Sequence, residues 1–102
     1  MIGRTWRGRT RREKADEYLR YLQETAIPAY RSTEGNLRVM VLRRDNGDVT
    51  EFILFTLWSS IEAVCRYAGD NPETAVYYPD DRRYLLEMEA KVRLYEIAED
   101  LG

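Results

Sequence analysis

The segment Asp45-Asn46-Gly47-Asp48 separates two long, strand-like apolar runs, and it constrains the fold more than any other part of the chain. An Asn-Gly pair between such runs is the strongest short-range signal for a β-hairpin. The reading predicts strands over Asn36 to Arg44 and Val49 to Trp58. Centring the turn on Asn46-Gly47 pairs Val41 with Phe52, Val39 with Leu54 and Leu37 with Thr56. One face of the hairpin then carries Leu37, Val39, Val41, Phe52, Leu54, Thr56 and Trp58. The other carries Arg38, Met40, Leu42, Val49, Glu51, Ile53, Phe55 and Leu57. Both faces are apolar, although an antiparallel sheet covered on one side by helices should show a polar second face.

The flanking segments supply the rest of the plan. Met1 to Gly8 alternates, with Ile2, Arg4 and Trp6 on one side, and predicts a strand. Thr10 and Glu13 have capping-box spacing, and Ala15, Tyr18, Leu19, Leu22 and Ala26 then recur at helical spacing. Pro28 should end or kink that helix, leaving Tyr30 to Gly35 as a loop. Ser59 and Glu62 repeat the capping spacing before a second helix, with Ile61, Val64, Cys65 and Ala68 facing inward and Gly69 closing it. Asp70 to Asp81 predicts irregular structure, Tyr84 to Met88 a short turn, and Lys91 to Ile97 a last strand. The order β-α-β-β-α-β is an α+β, ferredoxin-like plan in a single domain spanning 1–102. Two helices cover only one sheet face, so Met40, Leu42, Ile53, Phe55 and Leu57 predict a homodimer interface that closes the sheets into a dimeric α/β barrel.

Composition removes several kinds of chemistry. The 102 residues contain no histidine and one cysteine, Cys65, expected to be buried. Imidazole acid–base catalysis, histidine-ligated metal or haem, disulfides and thiolate zinc clusters are therefore not expected. No phosphate-binding glycine motif occurs. Residues 1–14 hold six bases against Glu13, a local +5, read as an exposed arginine-rich edge rather than a nucleic-acid surface. The run Asp80-Asp81-Arg82-Arg83 reads as solvated. No apolar stretch suits a membrane span or a secretory signal, so the expectation is a cytoplasmic protein with no membrane partner. An RNA-binding role through the sheet is disfavoured by the acidic balance of −2 and by the missing RNP motif.

The phrase Phe52-Ile-Leu-Phe-Thr-Leu-Trp58-Ser-Ser-Ile-Glu62-Ala, followed by Tyr67-Ala68-Gly69, resembles the antibiotic biosynthesis monooxygenase (ABM) domain. Tyr30-Arg-Ser-Thr-Glu-Gly35-Asn36 and Ala75-Val-Tyr-Tyr-Pro79-Asp resemble it too. The resemblance implies a dimeric α/β barrel that oxidises polycyclic aromatic substrates with molecular oxygen and no metal or flavin, or that degrades haem. The haem-degrading branch uses Asn, Trp and His; this chain matches the Trp at Trp58 and has no His. The anthrone-oxidising branch carries an Asn four residues before that Trp, where this chain has Leu54.

Eight tyrosines, two tryptophans and two phenylalanines are the chain's unusual resource. The candidate substrate contacts are Trp58 as a pocket wall, Asn36 and Arg38 as polar anchors, and Tyr77, Tyr78 and Tyr84 as lid or donors. No residue is singled out as catalytic, and no cofactor or metal is expected. The function expected is a cofactor-independent monooxygenase acting on an aromatic, polyketide-like metabolite. The alternative is a non-catalytic small-molecule-binding or protective dimer of the same fold.

Overall fold

Strand β3 (Val49–Trp58) lies between β2 (Asn36–Asn46) and β1 (Ile2–Arg11), and β4 (Arg93–Glu96) pairs with the outer side of β1 in this computed structural model, which describes residues 1–102. All neighbours are antiparallel. Helices α1 (Ala15–Glu24) and α2 (Ala26–Ser32) join β1 to β2, and α3 (Ile61–Ala68) and the single turn α4 (Asp81–Tyr84) join β3 to β4. The βαββαβ plan and the β2-β3-β1-β4 order make this a ferredoxin-like α+β fold. No helix is long and apolar enough to cross a membrane.

Period-two alternation along β3 sets the layers. Thr50, Phe52, Leu54, Thr56 and Trp58 are all buried, whereas Val49, Glu51, Ile53, Phe55 and Leu57 are half-buried. The buried set packs with Trp6, Ala15, Tyr18, Leu22, Ala26, Tyr30, Ala63 and Val64 to form the core. The opposite face has no helices over it, and Met40 and Leu42 on β2 are exposed there.

The hairpin register differs from the expected one by two residues. Val41 pairs with Leu54 and Val39 with Thr56, and the two-residue turn is Gly47-Asp48, since Asn46 pairs with Val49. An Asn-Gly type I′ turn needs positive φ at both central residues, and only Gly47 has it (φ 63°). A glycine at the first central position suits a type II′ turn instead. A shift of two preserves which face each side chain occupies. Leu37 is the exception: a bulge between Asn36 and Arg38 leaves it unpaired and 53% exposed.

Several local expectations are corrected. Thr10 is not a helix cap; it is buried in β1 opposite Thr50, because the long partner strand carries the ladder through to Arg11. Helix α1 follows a 3-10 turn with no side-chain cap. The first helix breaks at Thr25, one turn before Pro28, which then sits third in α2, where its missing N–H is not needed. Tyr30 to Ser32 are therefore helical rather than loop. Ser60, not Ser59, caps α3, accepting from the Ala63 N–H at 3.2 Å. That shift turns Ala63 and Val64 inward and leaves Ile61 exposed and Cys65 half-buried.

Two charges expected at the surface lie inside. Arg4 is 1% exposed and Asp81 is 3% exposed. Asp81 accepts from the Tyr18 hydroxyl at 2.7 Å and from the Tyr78 N–H at 2.6 Å, fastening the irregular 69–80 segment to α1.

Gly35 joins the end of α2 to β2 and the start of α3. Its φ is 92°, its carbonyl accepts from the Ser59 N–H at 2.9 Å, and a Cβ there would collide with the Ala63 methyl. Gly35→Ala should therefore lower stability by at least about 1–3 kcal/mol. Urea unfolding should show this as a lower midpoint with an unchanged slope.

Candidate functional site

The bulge at Leu37 shapes the first part of the site. By interrupting the pairing at the edge of the sheet, it brings Asn36, Leu37 and Arg38 to the mouth of a cleft between β2 and α2. The cleft has a volume of about 490 Å³ and is walled by Ile27, Val39 and Val41, with Arg31 and Asn36 as its polar groups; Arg38 borders it but pairs with Leu57 and also lies beside Met40 and Phe55 on the opposite sheet face. That size and mixture suit a ring-sized organic ligand. Helical spacing explains α2's part: Ile27 and Arg31, four residues apart, face the cleft, while Ala26 and Tyr30 face the core.

Behind the mouth lies an aromatic layer. Trp58 pairs across the sheet with Asn36 and is fully buried, donating its indole N–H to the Thr56 hydroxyl at 2.8 Å. Tyr30 meets its ring edge-on at 6.2 Å, and Tyr67 lies 6.0 Å from it and 4.4 Å from Tyr30. Tyr67 and Tyr78 share a hydroxyl–hydroxyl bond of 2.9 Å. Burial pushes all three phenols, Tyr30, Tyr67 and Tyr78, above the usual tyrosine value, so each is neutral near pH 7.

Arg4 stands in the middle of this layer. One terminal nitrogen donates to the Tyr30 hydroxyl at 3.3 Å, and the other donates to the Thr74 carbonyl at 2.8 Å. The guanidinium carbon lies 5.4 Å from the centre of the Tyr67 ring. Its Nε is buried with no acceptor.

Of the expected contacts, Asn36 lines the cleft, Arg38 borders it from the opposite sheet face beside Met40 and Leu57, Trp58 stands behind Asn36 as a core residue, and Tyr78 reaches that layer through Tyr67. Tyr77 and Tyr84 lie elsewhere. Tyr77 packs edge-on against Trp6 and donates to the Glu89 carbonyl. Tyr84 stacks with Tyr18 and Tyr21 and donates to Glu17 at 2.7 Å, which raises its own value and holds the Glu17 carboxyl below its usual range. The residues not singled out from sequence were Ile27, Arg31, Val39, Val41, Tyr30, Tyr67 and Arg4. The signal for Arg4 was its shared parity with Ile2 and Trp6.

The family model for antibiotic biosynthesis monooxygenase matches residues 1–71. The chain belongs to this family. The match contains the cleft, Arg4, Trp58 and Tyr67, and ends before the Ala75–Asp80 phrase. No curated protein matches the chain. Among solved structures it is similar to a point mutant of MhuD crystallised with two manganese protoporphyrin IX molecules per active site. The two share 20% sequence identity with a TM-score of 0.62, over 100% of this chain and 99% of that one. This ABM chain thus keeps the fold over its full length.

Proposed function

We propose that the protein is a cofactor-independent monooxygenase of the antibiotic biosynthesis type that oxidises an aromatic, polyketide-like metabolite held in the β2–α2 cleft. The observation that carries this reading is the cleft itself, in which an apolar wall faces Asn36 and Arg31 within an ABM domain. MhuD, of the same fold, binds flat porphyrin rings, which supports a planar aromatic ligand here.

The chain's own groups limit the chemistry. The cleft lining holds no carboxylate, and the neighbouring phenols, made weaker acids by burial, stay protonated. The substrate must then be a carbon acid that ionises readily, such as an anthrone, with arginine and amide donors stabilising its oxyanion. The carbanion delivers an electron to O₂, and the radical pair combines into a carbon peroxide. The proton released at the start returns to that peroxide, which expels water and leaves a carbonyl. A CH₂ and O₂ thereby become C=O and H₂O.

Oxygen uptake with anthrone- and quinol-type substrates tests the reading, expected to run at one O₂ per substrate and well above a boiled control. No uptake above that control across the panel would overturn it. It would leave the second reading, a non-catalytic binding dimer, which draws on the same lack of a carboxylate in the cleft.

Two copies would form the working unit, meeting through the sheet faces that carry Met40, Leu42, Ile53, Phe55 and Leu57. Phe55→Asp places an uncompensated charge in that contact and should weaken the dimer by about 3–5 kcal/mol. Sedimentation equilibrium should give twice the chain mass for the wild type and the chain mass for the variant at micromolar concentration. A wild-type chain that remained monomeric would contradict the dimer.

A further inference from the structure

Arg4 is the one buried cation of this protein, and nothing negative answers it. The five ion pairs join Arg7, Arg9, Arg12, Arg43 and Arg83 to carboxylates, and none includes Arg4. Its acceptors are a neutral phenol and a backbone carbonyl, and Nε has none. The other buried charge, Asp81, is engaged by Tyr18 and the Tyr78 N–H. A guanidinium kept out of water without a counter-ion is costly, and an apolar side chain would fill the same space more cheaply.

The sheet register connects this charge to the cleft. Val39, Thr56 and Arg4 are cross-strand neighbours in one row on the helix-covered face. Val39 lines the cleft, so Arg4 starts two strand spacings, about 10 Å, further in. Tyr30 links the two, its hydroxyl accepting from Arg4 and its helix supplying Ile27 and Arg31 to the cleft wall. That helix is seven residues long, set off by the break at Thr25 (φ −122°, ψ −81°).

We infer that Arg4 is the anchor for the negative oxygen of the ligand: the metabolite bound in the β2–α2 cleft is a planar aromatic anion, an ionised phenol, enol or carboxylate, whose charged end displaces the Tyr30 hydroxyl and takes its place on Nη1 of Arg4. This deepens the function proposed above and rests on it for the aromatic part of the ligand. Arg31 at the mouth attracts such an anion, and Arg4 inside discriminates it from a neutral analogue of the same shape.

The test uses two probes of equal shape, 2-naphthoate and 2-naphthamide, titrated by tryptophan fluorescence. The wild type should bind naphthoate at least tenfold more tightly, and the preference should survive 0.5 M NaCl because the pairing is buried. Arg4→Met and Arg4→Gln should bring the ratio to about one while keeping naphthamide affinity. Arg31→Met should retain the preference. In melts without ligand, Arg4→Met should equal or exceed the wild-type Tm. Sodium formate should raise the wild-type Tm above equal sodium chloride and leave the variant's unchanged.

Equal affinity of the wild type for the two probes, or a preference that persists in Arg4→Met, overturns the inference. So does Arg4→Met melting below the wild type with no formate shift in either, which makes Arg4 a packing residue. If neither naphthyl probe binds but formate stabilises only the wild type, the anion site stands and the aromatic reading of the cleft falls.

Discussion

Trp58→Ala should destabilise the protein by about 3–5 kcal/mol, the usual cost of emptying a fully buried tryptophan site. The indole is 0% exposed, contacts Tyr30 and Tyr67, and gives its N–H to Thr56, so its removal opens a cavity and leaves that buried hydroxyl without its donor. Since a domain of this size is held by only about 5–15 kcal/mol, the variant should be marginal at 37 °C. Trp58→Phe keeps most of the burial and should cost about 1–2 kcal/mol. Urea titrations of the two variants check the order. Equal, small losses would show that Trp58 is not the post on which β3, α2 and α3 meet.

The second large effect is alkaline. Burial raises Tyr18, Tyr30 and Tyr67 above the ordinary tyrosine value of 10.0, with the Asp81 carboxylate adding to the effect at Tyr18 and the other phenols at Tyr67. In the unfolded chain these phenols ionise near pH 10; in the folded chain they keep their protons. Stability is therefore fully present below about pH 10 and falls as the pH rises beyond it, because the unfolded state sheds protons the native state retains. Each such group contributes a slope of about 1.4 kcal/mol per pH unit, so the three together give about 4. Denaturant midpoints should be flat from pH 7 to 9 and drop steeply above 10. Tyr18→Phe should flatten that drop while costing stability at neutral pH, since Asp81 loses its hydroxyl donor. A slope unchanged by the substitution would contradict the assignment.

The sheet was readable because its signals are local and periodic. The alternation along Val49 to Trp58 placed Val49 and Glu51 through Trp58 on their correct faces, and the apolar second face was visible without coordinates. The turn itself was not, since Asn-Gly and Gly-Asp both fit a two-residue hairpin and only φ at Gly47 decides between them. Thr10 and Ser59 carried capping-box spacing, but β1 paired through Thr10, and α3 began one residue later at Ser60. A tertiary ladder outweighs a local cap.

Site residues divided the same way. Asn36 and Arg38 stand in sequence beside a strand start, and the bulge between them turns Asn36 to the cleft while Arg38 pairs with Leu57 on the opposite face. Tyr77 and Tyr84 were grouped with them as aromatic neighbours in sequence, but contacts with Trp6 and Tyr18 carry their rings elsewhere. Arg4 looked like one charge among six at a basic edge. Its burial follows from strand parity and from the layer of α2, α3 and the 69–80 segment above it, which no local pattern announces. Asp81 was hidden in the same way, beside Arg82 and Arg83 in sequence yet bonded inward to Tyr18.

The proposed reaction inserts one oxygen atom from O₂ into an aromatic metabolite. Mass spectrometry of the product formed from anthrone under ¹⁸O₂ tests it most directly, with boiled protein as the control for spontaneous oxidation. The expected product is anthraquinone carrying one ¹⁸O at the new carbonyl, formed many times faster than in the control, with the second labelled atom in water. Product formed no faster than in the control, or formed without the label, would contradict it.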